Sequence, residues 1–255
     1  MKEKLQSIVL KAGELILHAE SFHIDQKEGH ANFVTDVDEA VQQYLISELR
    51  SLLPESLVIG EEQENEALTD APTWIIDPLD GTTNFIHNYH LSVISVALLR
   101  NREPVLAVIY QPYTKELFCA EKGKGASLNG QSIHVSDKTL EKALIGFGTS
   151  PYNAELAERS MKAALGFLQR AADILSIGSA ALGLAYVAAG RQEVYFELFL
   201  RPWDYAAGSL LIQEAGGCFE QPVRSTPDYG LPSPILASNA SCSKEAGEWL
   251  KSFWK

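Results

Sequence analysis

Two aspartates three residues apart, Asp77 and Asp80, stand in the run Trp74-Ile75-Ile76-Asp77-Pro78-Leu79-Asp80-Gly81-Thr82-Thr83-Asn84-Phe85. The apolar residues before Asp77 predict a buried strand that delivers it at its carboxyl end. Pro78 is expected to stop the ladder there, and Gly81 to supply a turn. Two carboxylates held on one tight turn repel each other, an arrangement tolerated mainly where a cation lies between them. If a helix begins after Gly81, the amides of Gly81, Thr82 and Thr83 face the same space and make an anion site. The plain alternative, an Asx turn with an aspartate as a cap, accounts for one acid at a time and not for the whole run.

Other acids have ordinary readings of their own. Glu61 and Glu62 follow the apolar residues Val58 and Ile59, where an acidic loop is usually a solvated face. Asp204 stands beside Trp203 at the start of a helical pattern, where aspartate commonly caps. Thr35 and Asp38 have capping-box spacing. Three weaker signals carry no chemistry. GASLNGQS (125–132) is close to a phosphate-binding loop, but Gln131 stands where lysine is needed and a strand follows instead of a helix. His87 and His90 lack further ligands at zinc spacing. Ser150 and Ser179 lack the surroundings of an acyl-transfer nucleophile.

These residues must be positioned by elements the pattern also predicts. Leu5, Ile8, Val9, Ala12, Leu15, Ile16 and Ala19 recur at helical spacing, and a second helix runs from about Asp36 to Leu53, ended by Pro54. The period then changes. Short β-rich runs appear at 57–59, 73–76, 91–99, 105–110 and 116–120, and again at 133–135 after an Asn129-Gly130 turn. Beyond Val135 strands and helices alternate, with helices over 153–170, 179–189 and 203–215 and a last one capped near Ser243. The fold class is α+β, a layered αβαβα sandwich. Residues 1–138 form an N-terminal α+β subdomain and 139–255 a C-terminal α/β subdomain.

Length and composition agree. The chain has 255 residues, 46% hydrophobic and 21% charged, with a formal charge of −12. Such acidity leaves no global footprint for DNA or RNA, and an anionic substrate would need a divalent metal to neutralise its surroundings. The uncharged apolar runs are too short to span a membrane, and Lys11 and Glu14 interrupt the first one. Cys119, Cys218 and Cys242 are widely separated, as in a reducing compartment. A cytoplasmic protein is expected.

Taken together, Gly60-Glu61-Glu62, Asp77 to Phe85 and Trp203-Asp204 resemble the inositol monophosphatase family of Mg²⁺-dependent, lithium-sensitive phosphatases, in its order and at similar spacing. FVTDVDEAV (33–41) and IGSAALGLAYVAAGRQEVYFE (177–197) resemble further segments of that family, so the likeness covers nearly the whole chain. The resemblance implies that Glu61, Asp77, the Leu79 carbonyl, Asp80 and Asp204 bind two or three Mg²⁺ ions. It implies that Thr82 with Asp38 activates a water, Glu61 assisting. It further implies that Asp80 and the Gly81, Thr82 and Thr83 turn hold the phosphate group, and that Gly178, Ala180 and Glu197 contact the alcohol. A homodimer acting on a small phosphorylated substrate, inositol 1-phosphate foremost, is implied as well. Relatives of the fold act on fructose 1,6-bisphosphate, NADP(H) or 3′-phosphoadenosine 5′-phosphate, and some members bind the transcription machinery. The nucleotide bisphosphate group reads DGTKEF where this chain has Asp80-Gly81-Thr82-Thr83-Asn84-Phe85, which favours the inositol branch.

Overall fold

The computed structural model describes residues 1–19, 21–26, 33–151 and 153–254. In chain order these form α1 (Lys2–Leu17), β1 (Ile24–Gln26), β2 (Phe33–Thr35), α2 (Asp36–Leu52), β3 (Leu57–Gly60), β4 (Thr73–Asp80), α3 (Thr82–Ile86) and β5 (Val93–Arg100). There follow β6 (Glu103–Gln111), β7 (Glu116–Glu121), β8 (Ala126–Leu128), β9 (Gln131–Ile133), β10 (Leu144–Phe147), α4 (Ala154–Leu168), β11 (Asp173–Leu175) and α5 (Ala180–Ala188). The last are β12 (Val194–Leu200), α6 (Pro202–Glu214), β13 (Cys218–Glu220), β14 (Ser233–Ser238) and α7 (Ala240–Leu250).

Five layers result. A seven-stranded sheet, ordered β3-β4-β5-β6-β7-β8-β9, is antiparallel except for the β3/β4 pair. One of its faces packs Trp74, Ile76, Val96 and Val108 against Leu5, Val9, Val41 and Leu45 of α1 and α2. The opposite face packs Ile75, Ala97 and Ile109 against α5 and α6. Those two helices are apolar almost all round, because their far sides meet a second sheet, ordered β11-β10-β12-β14-β13. The outer face of that sheet is closed by α4 and α7 through Phe167, Phe196, Leu236 and Leu250. The central core thus joins residues from both halves of the chain. No helix among the described residues is long and apolar enough to cross a membrane.

The expected elements appear with three corrections. Pro78 does not end its strand: β4 runs on to Asp80, with a bulge between Asp77 and Asp80 that lets pairing with β5 resume. A proline is tolerated where the ladder is already interrupted. The last helix is capped by Asn239, whose side chain accepts the Cys242 amide at 2.8 Å, and not near Ser243. The strand expected at 133–135 is β9, at 131–133, so that GASLNGQS folds as the β8/β9 hairpin with Asn129 (φ 49°) and Gly130 (φ 79°) both left-handed in its turn. Part of the polar stretch 23–32 forms the short β1; residues 27–32 lie outside the described residues.

Candidate active site

The bulge in β4 is the local device that builds the site. Side chains alternate along a strand, so residues three apart normally face opposite ways. Here Asp77 pairs with Ser95 and Asp80 with Val93, two residues apart on β5, so the extra residue brings both acids to one face. That face looks into the central layer, where α6 carries Asp204. Glu61 comes one residue after Gly60, whose partner is Ile76, and so lies level with Asp77 across the parallel pair. Glu61, Asp77, Leu79, Asp80 and Asp204 all line one cleft of about 330 Å³.

Gly81 turns the chain out of the strand. Its φ of 94° is left-handed, and a Cβ there would approach the Leu91 carbonyl to 3.0 Å. The turn starts α3, and Gly81, Thr82 and Thr83 also line the cleft. Asn84 ties the turn to the other half of the protein: its side-chain amide donates to the carbonyls of Leu91 (2.9 Å) and Ile177 (2.7 Å). Gly178, Ser179 and Ala180 are thereby held on the facing wall.

The acids differ in what surrounds them. Burial first, then the charges of Glu61, Asp80 and Asp204, pushes the Asp77 carboxyl well above the ordinary range. Asp204 is raised well above it too, by burial and then by Glu61 and Asp80. Asp204 Oδ2 also accepts the Arg201 amide at 2.6 Å, so its capping role is real. Asp80 sits at the N-terminus of α5, accepting from the Ser179 hydroxyl (2.5 Å) and the Ala181 amide (2.8 Å); burial still raises its carboxyl. Among the described residues no three His, Cys, Asp or Glu side chains already stand as a ready metal cage. Asp80 and Asp204 are partly turned to protein donors. The donor set nevertheless suits a hard cation: four carboxylates and a carbonyl, all oxygen, gathered at one cleft, where neighbouring acids disfavour the charges of Asp77 and Asp204.

Asp38 does two jobs with two oxygens. Oδ2 accepts the Thr35 amide at 2.8 Å and the Thr35 hydroxyl, and that hydroxyl oxygen accepts the Asp38 amide at 3.4 Å, which completes the capping box of α2. Oδ1 accepts from the Thr82 hydroxyl at 3.0 Å, 44 residues along the chain. Burial holds the Asp38 carboxyl above its ordinary range. A threonine hydroxyl that donates to a carboxylate keeps its lone pairs free to accept a proton from water.

Glu197 lies across the cleft. Burial raises its carboxyl from 4.5 to about 7, with the Asp80 charge adding to the effect. Every residue to which the family resemblance gives a role therefore lines this cleft except Asp38, which reaches it through Thr82. Ser179, Asn84, Ser150 and Tyr195 were not assigned a role from sequence, although Asn84 lies inside the motif and Tyr195 shares a strand face with Glu197. His90 stacks on Tyr113 at 4.3 Å, away from this chemistry.

An inositol monophosphatase family model matches residues 2–255. Inositol monophosphatase 2 of Solanum lycopersicum is 38% identical, the alignment covering 92% of each chain. Nus factor SuhB of Escherichia coli K12 is 39% identical over 90% of this chain and 87% of its own. Among solved structures, the Thermotoga maritima IMPase superposes with a TM-score of 0.88 at 30% identity, covering 97% of this chain and 95% of that one. A protein described as IMPase/NADP phosphatase complexed with Mg²⁺ and phosphate gives 0.84 at 25% identity, with 97% and 92% covered. A match over residues 2–255, with a relative 38% identical across 92% of each chain, leaves one assignment: the chain belongs to the inositol monophosphatase family.

Proposed function

We propose that this cleft hydrolyses the monophosphate ester of a small neutral polyol, inositol 1-phosphate foremost. One observation carries the choice of substrate: among the described residues that line the cleft, none is Lys, Arg or His. A bisphosphate or a dinucleotide brings a second anionic group, and the described lining would meet it with acids and neutral groups. The volume argues the same way, since about 330 Å³ is at the small end of the roughly 300–1,000 Å³ of ligand pockets.

Glu61, Asp77, the Leu79 carbonyl, Asp80 and Asp204 would hold Mg²⁺, two or three ions in this reading; the choice of metal is supported by the Mg²⁺ and phosphate bound by the solved relative. Bound there, the metal supplies charge neutralisation for a phosphate dianion and Lewis acidity at its oxygens. The chain's own groups do the rest. Thr82 Oγ accepts a proton from a water as its own passes toward Asp38 Oδ1. The Gly81–Thr83 turn orients the phosphate, and Gly178, Ala180 and Glu197 face the polyol. Phosphate release should require Mg²⁺, stop in excess EDTA and be inhibited by Li⁺. It should be faster on inositol 1-phosphate than on NADP or fructose 1,6-bisphosphate; the reverse order would sink the substrate assignment.

A second reading rests on the relatives named Nus factor SuhB, a partner-binding role in transcription. Asp80→Ala separates the two: it ends turnover, and a binding role would survive it. A homodimer in the cytoplasm is part of the proposal, checked by light scattering and by fractionation.

A further inference from the structure

Glu197 is gripped from two sides. Tyr195, two residues earlier on the same face of β12, donates its hydroxyl to Glu197 Oε2 at 2.8 Å. Ser150 donates to Oε1 at 3.2 Å from the loop after β10. Both donors are buried: Ser150 is 0% and Tyr195 2% exposed. The Ser150 backbone is also left-handed, at φ 45°, a conformation that a non-glycine residue keeps only when its surroundings enforce it. Two residues earlier Gly148 leaves room for the carboxylate: a Cβ there would stand 2.0 Å from Glu197 Oε2. The Tyr195 ring is itself wedged against Gly183 and Gly146, where a Cβ would meet it at 2.5 and 2.9 Å.

A carboxylate whose two oxygens each accept a fixed hydroxyl has one orientation, and its remaining lone pairs point in set directions. The carboxylate so fixed borders the cleft, which Glu197, Tyr195, Gly148 and Ser150 all line. We infer that Tyr195 and Ser150 are positioning residues that set substrate preference, aligning Glu197 to accept from a polyol hydroxyl. Neither touches the reacting phosphate in this scheme. The inference rests on the substrate reading above, and it adds the residues that make a general phosphatase cleft discriminate a hydroxylated ring.

The readout is the ratio of kcat/KM for inositol 1-phosphate to that for phenyl phosphate, which has no hydroxyl to offer Glu197. Tyr195→Phe keeps the wedged ring and removes one donor. Ser150→Gly removes the other hydroxyl, keeps the backbone amide of residue 150 that also donates to Glu197, and suits the left-handed backbone. A lost hydrogen bond to a charged group makes the expected fall in the ratio about tenfold for either variant. Because the strain at Ser150 is relieved as its donor is lost, a fall in the ratio with an undiminished melting temperature separates positioning from damage. A ratio unchanged in both variants, or equal losses on both substrates, overturns the inference. If the wild-type protein hydrolyses phenyl phosphate as well as inositol 1-phosphate, the substrate reading itself has failed. Should Tyr195→Phe fail to fold, Ser150→Gly decides alone.

Discussion

The ends of β4 and β12 face each other across the cleft, and both are bulged. Asp77 and Asp80 pair with Ser95 and Val93; Glu197 and Leu200 pair with Ile235 and Ser233. In each case three steps along one strand match two along its neighbour, so a strand end that should pass into the core opens a face to the cleft. The electrostatics then diverge. Asp77 accepts the Leu79 amide at 3.0 Å and otherwise faces the charges of Glu61, Asp80 and Asp204. Glu197 also feels the Asp80 charge, but it has a hydroxyl on each oxygen. The same backbone device therefore yields two kinds of acid. One group is short of positive charge, the condition for gathering a hard cation; the other is oriented and satisfied, the condition for recognising a neutral hydroxyl.

The comparison is broken most severely at Asp77. Asp77→Asn keeps the acceptor for the Leu79 amide but removes one charge from four. Turnover should fall at least about a thousandfold, roughly 4 kcal/mol of barrier, since metal charge stabilisation is worth several kcal/mol. The metal-free protein should melt higher than wild type, because burial and three neighbouring acids oppose the Asp77 charge. Turnover near the wild-type rate would remove Asp77 from the site. A melting point that falls in EDTA would contradict the repulsion.

Thr82→Ala should cost about 10² to 10⁴ in kcat, the usual range for losing a positioned proton-transfer group, and leave Mg²⁺ affinity nearly unchanged. The hydroxyl lies 3.0 Å from Asp38 Oδ1, so the pair acts as a unit. Asp38→Asn should show a similar loss, and the double variant little more than either single one. Fully additive losses would dissolve the pairing.

On the β12 side the expected effect is on stability and depends on pH. A carboxyl with its pKa raised from 4.5 to about 7 binds its proton more tightly in the folded protein. Folding is therefore favoured at low pH, and that contribution is lost as pH rises from about 4.5 through 7. Glu197→Gln has no such loss. Measured in EDTA, it should match wild type near pH 4.5 and exceed it by up to about 3 kcal/mol above pH 7, at about 1.4 kcal/mol per pKa unit. Denaturant melts at pH 5 and pH 8 test this. A gap that shrinks as pH rises would mean the carboxylate, not the acid, is the form the fold favours.

What the sequence made legible follows from how local each feature is. The run from Asp77 to Phe85 concentrates its chemistry within one turn, so its acids, Gly81 and threonines could be read together. The helices announced themselves by period, and α5 by its uncharged apolar run. The bulge was not legible, because Pro78 normally signals the end of a strand, and only the register with β5 shows pairing resume at Asp80. Ser179 reaches Asp80 across 99 residues, Asn84 reaches Ile177 across 93, and Ser150 reaches Glu197 across 47. No spacing rule links such pairs. Tyr195 was different: alternation on β12 already put it beside Glu197, and only the value of a hydroxyl there went unread.

The smallest expected effect concerns Asp38, where the contrast between satisfied and reactive oxygens recurs within a single side chain. Oδ2 is turned to the Thr35 amide and hydroxyl, and Oδ1 to Thr82. Thr35→Ala removes the N-cap hydroxyl of α2 and leaves the Thr35 amide, which still anchors Oδ2 at 2.8 Å. Losing an N-cap hydroxyl costs about 1 kcal/mol of stability. Because Asp38 stays anchored by the amide and by Thr82, kcat should fall by no more than about twofold, the factor 0.4 kcal/mol produces. Thr82→Ala should do the opposite, with a large loss of turnover and a small change in melting temperature. The two threonines touch the same carboxylate, so the contrast isolates one oxygen from the other. If Thr35→Ala lowers kcat as far as Thr82→Ala does, Asp38 is held by its cap and not by its partner in the cleft, and the capping box itself belongs to the catalytic apparatus.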